Sequence, residues 1–189
     1  MTYVLVTPPS AEPITLVEVK AHLRLDEAHE DALLAALIVT ARAHLERETG
    51  LCLIRQTLRL CADDWPADGI VRIARYPVRA IDGVTVYGPD GEASSVSLQD
   101  HLLDGEGRPA RLWLRDPPPP GRAINGIEID FTAGFGEAGA DVPDTLKRGM
   151  LLHVAHMFAF RGVVAPDEQP AGIPDSYERL IGAYRMRRI

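Results

Sequence analysis

The sequence predicts an α+β fold: a helical core, made of an N-terminal helical hairpin and two C-terminal helices, with an inserted antiparallel β subdomain. Three observations predict it. Apolar residues recur at helical spacing from Pro13 to Gly50, strand-like alternation broken by turn chemistry fills the middle of the chain, and helical spacing returns at Pro143. The expected divisions are residues 1–52 for the hairpin, 53–134 for the β subdomain and 135–189 for the C-terminal helices with a basic tail.

The first helix is expected to start at Leu16. Thr15 and Glu18 have the spacing of a capping box, and Ile14 and Val19 are placed to staple the chain where it comes into the helix. The run from Leu16 to Leu25 stops near Asp26. A second helix through Leu33, Leu34, Leu37, Ile38, Ala41 and Leu45 ends at Gly50, a residue suited to a left-handed C-cap. The segment from Leu53 to Cys61 then alternates, with Ile54, Leu58 and Leu60 on one side and Arg55, Thr57 and Arg59 on the other, as in a half-buried strand.

Further strands are expected at Ile70–Ala74, Ala80–Tyr87, Ser94–Leu98, Arg111–Leu114 and Gly126–Thr132. Turns such as Gly88-Pro89-Asp90-Gly91 and Asp104-Gly105-Glu106-Gly107 separate them. Pro117 to Pro120 cannot donate to a ladder and reads as a stiff spacer in a loop or on an edge. Pro143 opens a third helix through Leu146, Met150, Leu151, Val154, Met157 and Phe158 to Gly162. Pro174 opens a fourth with Tyr177, Leu180, Ile181 and Tyr184 on one side.

A chain of 189 residues hides roughly 70% of its unfolded surface and needs no covalent staples. Cys52 and Cys61 bracket a strand that would hold them roughly 30 Å apart, too far for a disulfide, so both are expected as reduced thiols. The uncharged run Ala32–Ala41 is half the roughly 20 apolar residues of a membrane helix. With no signal-peptide pattern visible, a soluble, intracellularly made protein is expected. The formal charge is -7, with 4 basic and 8 acidic side chains in residues 1–50 but 4 arginines against 2 acids in residues 171–189. An acidic body argues against DNA binding through phosphate neutralisation. It suits a conduit through which DNA slides, and equally an ordinary solvated surface.

No catalytic, cofactor or metal site is expected. Gly134-Phe135-Gly136-Glu137-Ala138-Gly139 has the GxGxxG form. Ala140 to Pro143 nonetheless separate it from the next helix, and Glu137 and Asp141 would repel phosphate, so it reads as a flexible turn after a strand. His153 and His156 share a helix face at i, i+3 but have no third ligand, and His22, His29 and His44 lack a zinc pattern. No nucleophile on a strained turn and no defined pair of acids is visible, so no enzyme activity is expected.

The stretch from Ile14 to Gly50 resembles the opening of the head-tail connector (adaptor) proteins of long-tailed bacteriophages and of phage-like gene transfer agents. The likeness continues in order through Gln56-Thr57, Tyr76-Pro77-Val78, Val84 to Tyr87, Ile129 to Gly136, Pro143 to Lys147 and Tyr184-Arg185. The resemblance implies a virion structural protein without cofactors. Its copies form a ring, twelvefold by resemblance, between the portal ring and a tail-side stopper or neck protein, with DNA passing through the channel without sequence-specific binding and no membrane involved. It implies assembly in the bacterial cytoplasm and a final place in the neck of the particle.

By this resemblance Tyr184, Arg185, Met186, Arg187, Arg188 and Ile189 are expected to contact the portal, although the arginines also suit the negative end of a helix dipole. Glu27, Glu30 and Asp31 are the candidate channel-facing acids, and helix-start stabilisation accounts for them equally well. The alternatives are another neck component, such as a stopper or tail-completion protein, or a small nucleotide- or metal-dependent enzyme.

Overall fold

The computed structural model describes residues 1–161 and 174–185. The chain divides into a β unit, Met1–Ser10 with Arg55–Phe135, and a helical unit, Ala11–Ile54 with Gly136–Ile189. The fold class is the expected α+β. Residues 1–10, grouped with the hairpin in the sequence analysis, instead belong to the β unit. They form a strand that sequence alternation did not reveal, because Val4, Leu5 and Val6 are apolar on both faces.

The β unit contains β1 (Thr2–Thr7), β2 (Gln56–Ala62), β3 (Ile70–Ile73), β4 (Val78–Tyr87), β5 (Ala93–Ser95), β6 (Leu102–Asp104), β7 (Ala110–Trp113) and β8 (Ile127–Ala133). They make a five-stranded sheet in the order β1-β2-β8-β4-β5 and a three-stranded sheet in the order β3-β7-β6, with all pairings antiparallel. Period-two alternation sets the faces of the larger sheet. Leu58, Leu60, Ile127, Ile129 and Phe131 are buried, while Arg59, Glu128 and Asp130 lie on the other face.

Register is fixed on that polar face as well as by burial. Arg59 stands directly across from Asp130. It donates to both carboxylate oxygens at 2.6 and 2.8 Å and pairs with Glu128 at 2.8 Å. The Tyr87 hydroxyl donates to Glu128 at 3.0 Å. A one-residue slip would break this cluster and turn the apolar set outward. The proline segment lies in the β7–β8 loop. Trp65 Nε1 donates to the Pro118 carbonyl at 2.8 Å, and the Gly121 and Arg122 amides reach the Tyr87 carbonyl at 2.9 and 3.2 Å.

The helical unit contains α1 (Leu16–Leu23), α2 (Asp31–Thr49), α3 (Asp144–Ala159) and α4 (Asp175–Ile181). The capping box forms as its spacing predicts: the Glu18 amide donates to Thr15 Oγ1 at 3.1 Å and the Thr15 amide to the Glu18 carboxylate at 2.6 Å. That second bond holds the Glu18 carboxyl below its ordinary pKa. Gly50 closes α2 at φ 77°, with its amide on the Glu46 carbonyl at 2.9 Å. Ile14, Val19, Leu34, Ile38, Ala41 and Leu45 are buried, as are Leu146, Met150 and Val154 of α3 and Tyr177 and Ile181 of α4.

The chain passes between units three times, and within the helical unit each passage is held by a specific contact. Arg42 Nε donates to Glu12 at 2.8 Å and its Nη1 to Glu46 at 3.2 Å, while the other Glu46 oxygen accepts the Leu53 amide at 2.8 Å. Ile54 forms a parallel bridge with Gly136. This is why the strand expected from Leu53 begins only at Gln56: Leu53 and Ile54 are engaged by the helical unit.

The glycine segment, expected to be a flexible turn, is instead closely packed. A Cβ on Gly136 would lie 2.2 Å from the Asp141 carboxylate, which already accepts the Ala138 amide, and one on Gly139 would lie 2.4 Å from the Pro13 carbonyl. Gly134, at the end of the β unit, has φ 137° and donates its amide to the Pro77 carbonyl at 2.9 Å.

Helix α4 docks through rings. Tyr177 lies with its centroid 5.2 Å from that of His153 on α3 and 6.0 Å from that of His44 on α2, and the two histidines are edge-on at 4.8 Å. A Cβ at Gly149 would rest in ordinary van der Waals contact with Ile181 at 3.5 Å and the Tyr177 ring at 3.7 Å, so α3 and α4 are closely packed at this point. Burial, then the nearby His44 and His156, push the His153 pKa down to about 4, and burial pushes Tyr177 up to about 12. Cys52 and Cys61 are both buried free thiols.

Two predictions follow from the buried polar groups. Arg42→Met leaves Glu46 buried without its cation and should lower stability by about 3 kcal/mol, read from the denaturant midpoint; a loss below about 1 kcal/mol would mean that the pair behaves as a surface bridge. His153 binds its proton later in the folded than in the unfolded chain. Its contribution is therefore intact above pH 6.5 and is lost as pH falls toward 4, by roughly 3 kcal/mol in all. The stability difference between His153→Leu and wild type should accordingly shift in favour of the variant across that window, and a pH-independent difference would refute the assignment.

Candidate functional site

The three candidate acids lie together where α1 turns into α2. Arg24 makes the turn in the left-handed conformation, φ 57°, with its amide on the Ala21 carbonyl, and Arg24, Leu25, Asp26, Glu27, His29 and Glu30 line a shallow bowl. The acids are not electrostatically alike. Asp31 pairs with Lys20 at 2.8 Å and Glu30 with Arg161 at 3.2 Å. Glu27, whose side chain is 80% exposed, lies 2.9 Å from His29 Nδ1. Of these three acids Glu27 is therefore the most solvated, while the other two are partly neutralised by cations of their own unit.

Of the candidate tail, Tyr184 and Arg185 are described, and Met186, Arg187, Arg188 and Ile189 lie outside the described residues. Tyr184 ends a 3-10 turn that continues α4. Arg185 folds back onto its own unit, with Nη2 on Glu178 at 3.1 Å and on Glu48 of α2 at 3.2 Å. The Glu178 hydrogen bond raises the Arg185 pKa above its ordinary value. Arg185 is thus a clamp that closes α4 onto α2, and its charge is answered within the unit.

The histidines that share a sequence face part company in the fold. His153 packs with His44 and Tyr177, whereas His156 lies tilted against Phe160 with ring centroids 5.1 Å apart. Among the described residues, no group of three or more His, Cys, Asp or Glu is placed to hold a metal. The glycine motif is equally occupied. Its carbonyl end is capped by Arg79, which donates to the Gly134 and Phe135 carbonyls at 2.7 and 3.2 Å and pairs with Glu106 at 2.8 Å. A 3-10 turn at Gly139–Asp141 and then Pro143 precede α3, so the α3 amides do not open into the glycine turn as phosphate binding requires. Among the described residues, no helix is long and apolar enough to cross a membrane.

Sequence reasoning missed one surface. Val4, Leu5 and Val6 of β1 are 47–50% exposed on the edge of the larger sheet. The local signal was an uncharged, β-branched run ending at Pro8, but nothing in the sequence says that this run lies on an edge.

No curated protein matches the chain. Residues 13–87 match the family described as phage gp6-like head-tail connector protein. Over its whole length the chain is similar to a protein chain in the neck of an empty gene transfer agent particle computed with C6 symmetry, with TM-score 0.84 and 25% identity, covering 100% of this chain and 97% of that one. It is likewise similar to a chain in the virion of a native gene transfer agent particle, TM-score 0.81, and to one in the neck of the native particle computed with C12 symmetry, TM-score 0.80, both at 25% identity and the same coverage. With the connector pattern in residues 13–87 and full-length similarity to chains of a gene transfer agent neck, the chain is similar to structural head-tail connector proteins.

Proposed function

We propose that the protein is the adaptor of a phage-like particle: twelve copies form a ring between the portal and the tail-side neck proteins and extend the channel through which DNA passes. The observation that carries this reading is the full-length similarity to a neck chain solved with twelvefold symmetry. The ring is assembled in the bacterial cytoplasm and ends in the neck of the particle. It acts by shape and surface, without catalysis. The glycines and histidines that sequence alone offered for chemistry support this, since packing accounts for them.

Cyclic rings need heterologous contacts, one flank of each copy fitting the opposite flank of the next. The lumen is lined in part by the α1–α2 turn, where, of the three candidate acids, Glu27 supplies the most solvated negative charge facing DNA phosphate and Glu30 and Asp31 contribute less. The portal is contacted by the segment from Tyr184 to Ile189. Within it Tyr184 and Arg185 serve as the base held to the helical unit, and Met186, Arg187, Arg188 and Ile189 make the contact.

Electron microscopy with mass determination of the protein mixed with the portal ring from the same genome should show rings capping the portal. A protein that ignores the portal would move the assignment to another neck component. Ending the chain after Arg185 keeps its bonds to Glu178 and Glu48, so the truncated protein should melt as wild type yet lose portal capping; retained capping would remove the tail from the interface.

A further inference from the structure

We infer that neighbouring copies in the ring meet helix to groove: the outer face of α1 on one copy lies in the groove between α2 and α3 on the next, with Asp26 across from Arg47. The choice of a second copy as occupant rests on the ring reading above; the two surfaces belong to the helical unit itself.

Among the described residues of that unit, the exposed large apolar side chains are Val17, Val39 and Phe160, at 76, 45 and 40%. Val17 precedes the buried Val19 by two residues, about 200° around the helix, so it points away from the core that Val19 enters. It lines a shallow hollow on α1 together with Ala21, Leu25 and Asp26. Val39 lies in a groove where Ala43, His44 and Arg47 of α2 face His153 and Met157 of α3. Bringing the two surfaces together takes both valines out of water.

The two surfaces lie on different flanks of α2. Asp31, which pairs with Lys20 of α1 at 2.8 Å, marks the side toward α1. Ala43 and Arg47 follow it by 12 and 16 residues, about 120° and 160° around the helix, so the groove opens on the side turned away. A cyclic ring requires this arrangement, since each copy gives one surface and receives the other. The lengths also agree. Helix α1 has eight residues and spans about 12 Å, and Val39 to Arg47 is about 12 Å of groove.

Charge fixes which residues meet. Asp26 is the carboxylate among the residues lining the α1 hollow, and it has no cation partner among the described residues. Arg47 at the groove donates to His44 Nδ1 at 3.2 Å and has no carboxylate partner among the described residues. Each is therefore an exposed charge that its own unit leaves unanswered, and across a contact between copies each answers the other.

The test is a charge swap, read by electron microscopy and mass determination of rings on the portal. Asp26→Lys and Arg47→Glu are surface changes and should melt as wild type. Each alone sets like charges across every contact and should lower the fraction of capped portals roughly tenfold or more, and the two together should restore it. Single variants that cap as wild type overturn the contact, as do two failing variants that their combination does not rescue. An Arg47→Glu variant that caps better than wild type also overturns it, because Arg24, which lines the same hollow, would then be the residue across from position 47. A Val17→Cys, Ala43→Cys variant oxidised on the portal should give a ladder of covalent oligomers, because each copy offers its two thiols to different neighbours. Products that stop at dimers overturn the helix-to-groove arrangement. Wild-type protein that forms no ring on the portal overturns the ring reading itself, a result read without any variant, and takes this contact with it.

Discussion

The helical unit is built from two separated stretches of chain, and it holds together only if the passages at residues 12–13, 53–54 and 136–139 stay in place. The Arg42–Glu46 pair is the constraint that does this. From one face of α2 it reaches back to Glu12 and forward, through Glu46, to the Leu53 amide. The bridge from Ile54 to Gly136 and the contact of Gly139 with the Pro13 backbone then bring in the third passage. Such a partly buried pair adds less to stability than its distances suggest, because desolvation offsets attraction. Its larger effect is on where the chain leaves α2, since any other path strands a carboxylate in the interior.

Local chemistry was the legible part of the sequence. The Thr15–Glu18 box and Gly50 mark α1 and α2 almost to the residue, because capping satisfies backbone groups within one turn and needs nothing from elsewhere in the chain. Alternation found most strands for the same reason. What failed depends on distance. Leu53 and Ile54 look like strand residues until Glu46 and Gly136 claim them, and β1 looks like nothing until β2 is beside it. The candidate acids show the same limit. Their clustering is visible in sequence, but the cations that answer two of them come from Lys20 and from Arg161, the latter 131 residues from Glu30.

The residues that look most like chemistry are those the fold uses most heavily. A glycine motif, a histidine pair and a basic tail each suggest a ligand when read alone. In the structure the glycines admit close backbone approach, His153 is a neutral ring under α4, and Arg185 ties α4 to α2. Polar and glycine residues thus act as joints inside the fold, while apolar and acidic side chains are left on its surface.

The interleaving of the two units also has a consequence for synthesis. All eight strands of the β unit have been synthesised once Phe135 is made, so that unit can close while α3 and α4 are still being made or leaving the ribosome. The hairpin made first cannot. Leu34, Ile38 and Leu45 belong to a core whose other half, Leu146, Met150, Val154 and Tyr177, is translated more than a hundred residues later. Helices α1 and α2 are therefore made well before the rest of their core, and their apolar stripe must be kept from other partners until α3 and α4 arrive.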